Sequence, residues 1–142
     1  MPIQQGLTNS FKQDMLQAGQ DIVTDTLKMA LYTAFSDIGP LTTVYTPTNE
    51  VPTGGGYAAG GVVVTGATLS TDTQTGTVYV NFNNVSWPGA NFTARGALIY
   101  NTSQGDKSVA VLDFGSDKIF SSTSNTVTMP ANTATTALIR LP

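Results

Sequence analysis

The pattern of apolar and polar residues changes its period once along the chain. Near the start, Leu7, Phe11, Met15, Ala18 and Ile22 recur at spacings of three and four, which places them on one face of a helix. Ser10 followed by Gln13 fits a capping box, Asp14 lies near the positive end of the helix dipole, and Gly19 predicts a bend or stop. Such a stripe either packs on its own domain or forms an arm against a neighbouring subunit, with Phe11 as the candidate contact. From Thr26 the period becomes two. Leu27, Met29 and Leu31 alternate with Lys28, Ala30 and Tyr32, which predicts a half-buried strand. Asn81 and Asn83 alternate with Val78, Val80 and Phe82 in a second strand. Ala97 to Tyr100 and Val109 to Phe114 are nearly continuous apolar runs, as central strands covered on both faces require. Val62 to Val64 and Thr126 to Met129 are weaker strands, and Ala137 to Leu141 is a short terminal one.

Turn chemistry separates these runs. Asp72 to Gly76 and Thr102 to Asp106 read as hairpin loops, each with a glycine where φ must be positive. Trp87-Pro88-Gly89 predicts a turn beside a buried indole. Short strands at spacings of roughly ten residues predict an all-β fold. The expected form is a β-sandwich, with a jelly roll as one version of it. The helical segment then occupies residues 1–25 and the sandwich residues 26–142.

One stretch fits no minimal sandwich. Residues 34–61 show no sustained period and carry Gly39-Pro40, Pro47, Pro52, Gly54-Gly55-Gly56 and Gly60-Gly61. Thr42 to Tyr45 is its only extended-looking piece, and the prolines disfavour a central strand. A long irregular insertion in a compact domain points to a functional loop. It reads as an extended excursion shaped to reach a partner. Its glycines match neither GxGxxG nor GxxxxGK[ST] and precede an apolar β run, so close backbone approach and left-handed turns explain them better than a phosphate site.

Composition removes most chemistry. The 142 residues include no Cys and no His. Disulfides, thiolate nucleophiles, Cys-based zinc sites and Ser-His-Asp or Cys-His catalysis are therefore impossible within the chain. Six basic against nine acidic residues make a poor phosphate neutraliser, so nucleic acid is not an expected partner. No stretch approaches the ~20 apolar residues of a membrane span, and the first residues show no signal-peptide pattern. Without a secretory route, the sequons at Asn84, Asn91 and Asn101 carry little weight. With 40 % hydrophobic residues, the low charge does not mean disorder.

The remaining polar candidates are few. Asp113 and Asp117 flank Phe114-Gly115-Ser116 and could form a carboxylate pair, but turn chemistry explains them better. Asp72 and Asp106 sit in loops without any DxDxDG run, so no EF-hand is expected; no metal ligands are assigned, and calcium stays an open, weak alternative. Ser108 beside Lys107 is a poor activated pair, because neighbours on a strand face opposite ways. Glu50 is the only glutamate. It is either a solvated charge or the partner of one of the two arginines, where a bidentate pair would fix the loop. Arg95, just before an apolar strand, is the better arginine candidate, and Arg140 the other. Among the aromatics Tyr32, Phe35, Tyr45, Tyr57 and Trp87, the choice for partner anchors falls on Tyr45 and Tyr57, which lie in the irregular segment.

An ordered set of segments resembles a known family. Asn9 to Gln13, Leu27 to Thr33, Thr48 to Val51, Gly56 to Gly61, Phe92 to Asn101, Val111 to Lys118 and Thr133 to Arg140 together are similar to the small virion structural proteins of tailed bacteriophages. The resemblance implies a particle component that is not an enzyme, without cofactor. Capsid cement, on the outside of the head, fits best. Its partners would be the major capsid protein and further copies of itself, a trimer being favoured over a dimer. A tail- or fibre-associated part that contacts host glycans is the alternative. The protein would be made in the bacterial cytoplasm and end in the virion. The expected contact residues are Phe11, Tyr45, Glu50, Tyr57 and Arg95.

Overall fold

The computed structural model describes residues 3–142; Met1 and Pro2, the start of the expected helical segment, lie outside the described residues. The chain is mostly β, with 40 % of residues in strands and one short α-helix. In order, the elements are β1 (Gly6–Leu7), α1 (Asn9–Leu16), β2 (Leu27–Tyr32), β3 (Val62–Val64), β4 (Thr68–Asp72), β5 (Thr77–Asn81), β6 (Val85–Ser86), β7 (Phe92–Asn101), β8 (Lys107–Phe120), β9 (Thr126–Val127) and β10 (Ile139–Leu141). A five-stranded sheet runs β1-β8-β7-β2-β3, a three-stranded one β10-β5-β4, and β6 pairs with β9. All pairings are antiparallel.

The start of the chain differs from the expected helix. Leu7 belongs to β1 and pairs with Ala110. The cap is Thr8, whose hydroxyl accepts from the Phe11 N–H, whereas Ser10 already lies inside the helix. A strand residue directly before a capping threonine leaves no room for the earlier helical turn that Leu7 would need. The helix ends at Leu16. Ala18 takes a left-handed φ of 56°, and the Gly19 N–H reaches back to the Asp14 carbonyl at 2.7 Å. That bond is the long one of a Schellman closure, with alanine at the left-handed position just before the glycine.

The central strands are longer than their apolar cores. β7 and β8 pair over most of their lengths, and Ala97, Leu98, Ile99, Val109 and Val111 are completely buried. The turn expected at Asp113 to Asp117 is instead a wide bulge within β8. Ala94 faces Lys118 and Gly96 faces Asp113, so Arg95 stands opposite four residues. Gly115, at φ 81°, absorbs the kink. Both expected hairpin loops are present, with Gly76 at φ 74° and Gly105 at φ 67°. Trp87 is buried as expected, edge-on to Phe120, which stacks on Phe92 at 4.8 Å.

β2 was expected to bury one face; it buries both. Leu27, Met29 and Leu31 enter the main core with Ile99 and Val109. Ala30 and Tyr32 enter a second apolar layer with Ile38, Leu98, Tyr100 and Val111, against which Tyr45 packs. The 34–61 segment supplies that cover. It does not extend away from the domain. Val51 N–H bonds the Leu31 carbonyl and Thr33 N–H bonds the Asn49 carbonyl, both at 2.9 Å, so the loop closes on the end of β2. Its middle joins the start of β8 through Tyr45 N–H to Asp106 and Ser108 N–H to Thr43.

Two glycines with the same backbone angle test how close that cover lies. A Cβ on Gly61 (φ +79°) would stand 1.7 Å from the Met29 carbonyl oxygen, whereas one on Gly76 (φ +74°) would meet nothing within 4 Å. Gly76→Ala should cost about 1 kcal/mol, and Gly61→Ala about 3 kcal/mol or more, because a backbone clash adds to the strain. Denaturant midpoints measure both, and equal losses would contradict the close approach.

Candidate functional site

The most concentrated polar chemistry surrounds the single glutamate. Glu50 is buried, with 8 % of its surface exposed. No lysine or arginine pairs with it among the described residues. Three donors replace a cation. Tyr45 Oη donates to Oε1 at 2.5 Å, Tyr57 Oη donates to Oε2 at 2.5 Å, and the Gly60 N–H donates to Oε2 at 2.7 Å. A buried carboxylate needs such donors to replace the water it has lost.

Each donor comes from a different layer. Tyr57 rises from the main core, edge-on to Phe92, and its hydroxyl also accepts the Leu31 N–H at 2.9 Å. Tyr45 comes from the outer layer and stacks on Tyr100 with centroids 4.7 Å apart. Gly60 belongs to the glycine turn before β3, and its carbonyl accepts from Tyr100 Oη at 2.6 Å. Tyr32 Oη donates to the Thr46 carbonyl at 2.6 Å. Four of the five tyrosines thus tie the 34–61 segment to the sheet, Tyr45 by its stacking and the others by hydrogen bonds, while the Glu50 bonds close the segment on itself.

The same packing keeps these phenols protonated. Burial raises the pKa of Tyr32, Tyr45 and Tyr57 well above the ordinary tyrosine range, and the Glu50 charge or hydrogen bond adds to it. Tyr100 is pushed up to about 12 by burial and then by the charges of Asp106 and Glu50. The arrangement holds a loop closed. Each hydroxyl proton and both carboxylate oxygens are engaged in it.

The expected contact residues are therefore placed as follows. Tyr45, Glu50 and Tyr57 do come together, but they bind one another. Neither of the roles expected for Glu50 holds: it is not solvated, and no arginine pairs with it. Phe11 and Tyr57 are buried in the chain's own core. Arg95 pairs instead with Asp113 (Nε to Oδ1 3.6 Å) across the β8 bulge, and both stay partly exposed. Asp113 also accepts the Gly115 N–H inside the bulge, within the strand it was expected to close. Arg140 donates to the Thr135 carbonyl at 2.6 Å on the surface. Ser108 is buried against the Thr42 carbonyl and the Thr8 hydroxyl, while Lys107 turns to Asp14 at 3.7 Å. No group of three or more Asp, Glu, His or Cys able to hold a metal occurs among the described residues.

Sequence reading missed Tyr100 as a partner of the loop and missed the exposed Leu41 and Val44, and it passed over Phe35, one of its aromatic candidates, for Tyr45 and Tyr57. Phe35 and Leu41, on the clasped segment, are 84 % and 83 % exposed, and Val44 is also exposed. The signal available was the lack of any period around them, which leaves no buried face to assign them to. Comparison of the chain with protein-family models, with curated proteins and with solved structures finds no match.

Two measurements check the clasp. Glu50→Leu strands the Tyr57 and Gly60 donors and should cost about 3 kcal/mol or more, whereas Glu50→Gln keeps one oxygen for them and should cost about 1–2 kcal/mol. Equal losses in denaturant would contradict the hydrogen bonding. In the unfolded chain each tyrosine ionises near pH 10; in the fold, Tyr32, Tyr45, Tyr57 and Tyr100 keep their protons to higher pH. The folded state thus holds its full advantage below pH 10 and loses it as the pH rises above that value. Tyrosinate absorbance from these four should rise together with loss of tertiary structure in an alkaline titration. Their ionisation ahead of unfolding would overturn the assignment.

Proposed function

We propose that this chain is a non-enzymatic structural component of a bacteriophage particle: a capsid cement protein that binds the outside of the assembled head. The observation that carries the reading is the clasped segment. Residues 34–61 are closed on themselves by Glu50 and tied to the sheet through Tyr32, Tyr45, Tyr57 and Tyr100, yet they hold Phe35 and Leu41 almost wholly in solvent. Large apolar side chains on a firmly anchored loop suit a protein contact, since little entropy is left to lose when a partner covers them. The ordered resemblance of the sequence to small virion proteins of tailed phages supports the same reading. The fold proposed for it is a β-sandwich, supported by a core that draws Met29 and Ile99 from one sheet and Val80 and Ile139 from another.

The mechanism is mechanical. A protein that binds only the assembled lattice adds its binding free energy to the stability of that state. Repetition over a shell multiplies many modest contacts. Phe35, Leu41 and Val44 would meet the major capsid protein, while the Glu50 clasp holds the loop in shape for it.

The purified protein, added to expanded heads that lack it, should co-sediment with them and raise their resistance to heat and osmotic shock. Phe35→Asp with Leu41→Asp should abolish the binding without changing the melting of the free protein. Heads that neither bind it nor gain resistance would sink the cement reading, and retention on tails or host glycans would favour the tail-associated alternative.

A further inference from the structure

The strongest unassigned surface lies on the three-stranded sheet. The register places Leu69, Val80 and Ile139 in one row across β4, β5 and β10, and Thr71, Val78 and Leu141 in the next. Alternate residues of a strand share a face, so these six form one face of the sheet. It is apolar except for Thr71. The helix α1 and the loop after it cover only half of it. Val80 and Ile139 are buried, but Leu69 remains 57 % exposed and Leu141 49 %. A cavity of about 430 Å³ opens there, between the sheet and Phe11, Met15 and Ile22. Leu16, next to Met15 on the helix, is 91 % exposed at its side.

We infer that this half-covered face binds a second copy of the same chain, the Leu16 ridge of each copy entering the groove of the other. Charge identifies the occupant. Asp21 lines the groove, and its carboxyl is held below the usual range by hydrogen bonds from Thr24, so it is charged. Lys12 lies one helical turn before Leu16, on the same flank of α1; it is exposed and makes no ion pair among the described residues. The surface therefore carries an apolar ridge with a cation and an apolar groove with an anion, a self-complementary pair. Asp14 does not compete for the lysine, because Lys107 and Gln20 already engage it.

The sheet edge points the same way. β4 pairs with β5 alone and has neither proline nor lysine to guard its free edge. Ridge and groove also adjoin, since Leu16 follows the groove-lining Met15 directly. Adjoining complementary surfaces face nearly the same way, which suits a two-fold pair; a ring of three needs donor and acceptor surfaces turned well apart. The inferred assembly is therefore a dimer, where the resemblance favoured a trimer. This inference does not rest on capsid binding.

Sedimentation velocity of the full chain, over concentrations up to ~100 μM, tests it. A monomer–dimer equilibrium is expected. Leu16→Asp and Leu69→Asp should each weaken it at least ~tenfold, because both side chains would be buried only in the dimer. Lys12→Glu should weaken it less, and its effect should fade at high salt. Unchanged melting of the diluted variants confirms that they fold, as the exposure of these positions in the monomer leads one to expect. A monomer at every concentration, a trimer, or a dimer indifferent to Leu16→Asp and Leu69→Asp would each overturn the proposal.

Discussion

A carboxylate removed from water must be given donors, and in this chain that requirement organises the fold. Glu50 meets it without any cation, by taking two phenol hydroxyls and one backbone N–H. Satisfying it fixes Tyr57 against the core, Tyr45 over the outer face and the Gly60 turn between them. The segment that carries all four residues is thereby closed on itself, and the bonds of Tyr100 to Gly60, Tyr32 to Thr46 and Leu31 to Tyr57 lay it on the sheet. Once it lies there, Ala30, Tyr32, Leu98 and Val111 have an apolar cover and the central strands are buried on both faces. Leaving Glu50 without its partners would strand buried donors as well as a buried charge, so the clasp closes as a unit or not at all.

What was legible in the sequence was local. The period-two run at Leu27 to Tyr32 located β2 to the residue, and the apolar runs located the centres of β7 and β8. The hairpin loops were legible because glycine at a positive φ has few substitutes. What was hidden depended on the third dimension. Leu7 fits a helical stripe as well as a strand, and only its pairing with Ala110 decides between them. The second face of β2 could not be read from β2, since its cover comes from residues with no periodic pattern.

The candidate site shows the same division. Tyr45 and Tyr57 were singled out because aromatics in an irregular segment have few evident local partners, and Glu50 because it is the only glutamate; their partners turned out to be each other. A lone glutamate five residues from one tyrosine and seven from another carries no geometric message until the loop is folded. Tyr100 lies fifty residues from Glu50 and bonds Gly60 from β7, beyond the reach of any spacing rule.

The result is a part whose polar interior is spent on holding shape and whose apolar surfaces are left for contacts. On the proposed reading, the clasped loop faces the lattice and the open sheet face meets a second copy. The first use requires the loop to be rigid, and amide hydrogen exchange of the wild-type protein measures that most directly. The Leu31, Val51 and Gly60 amides, which donate to Tyr57 Oη, the Leu31 carbonyl and Glu50, should be protected as strongly as those of β7 and β8. Exchange of Val51 and Gly60 at the rate of an open loop, with β7 and β8 still protected, would contradict the account.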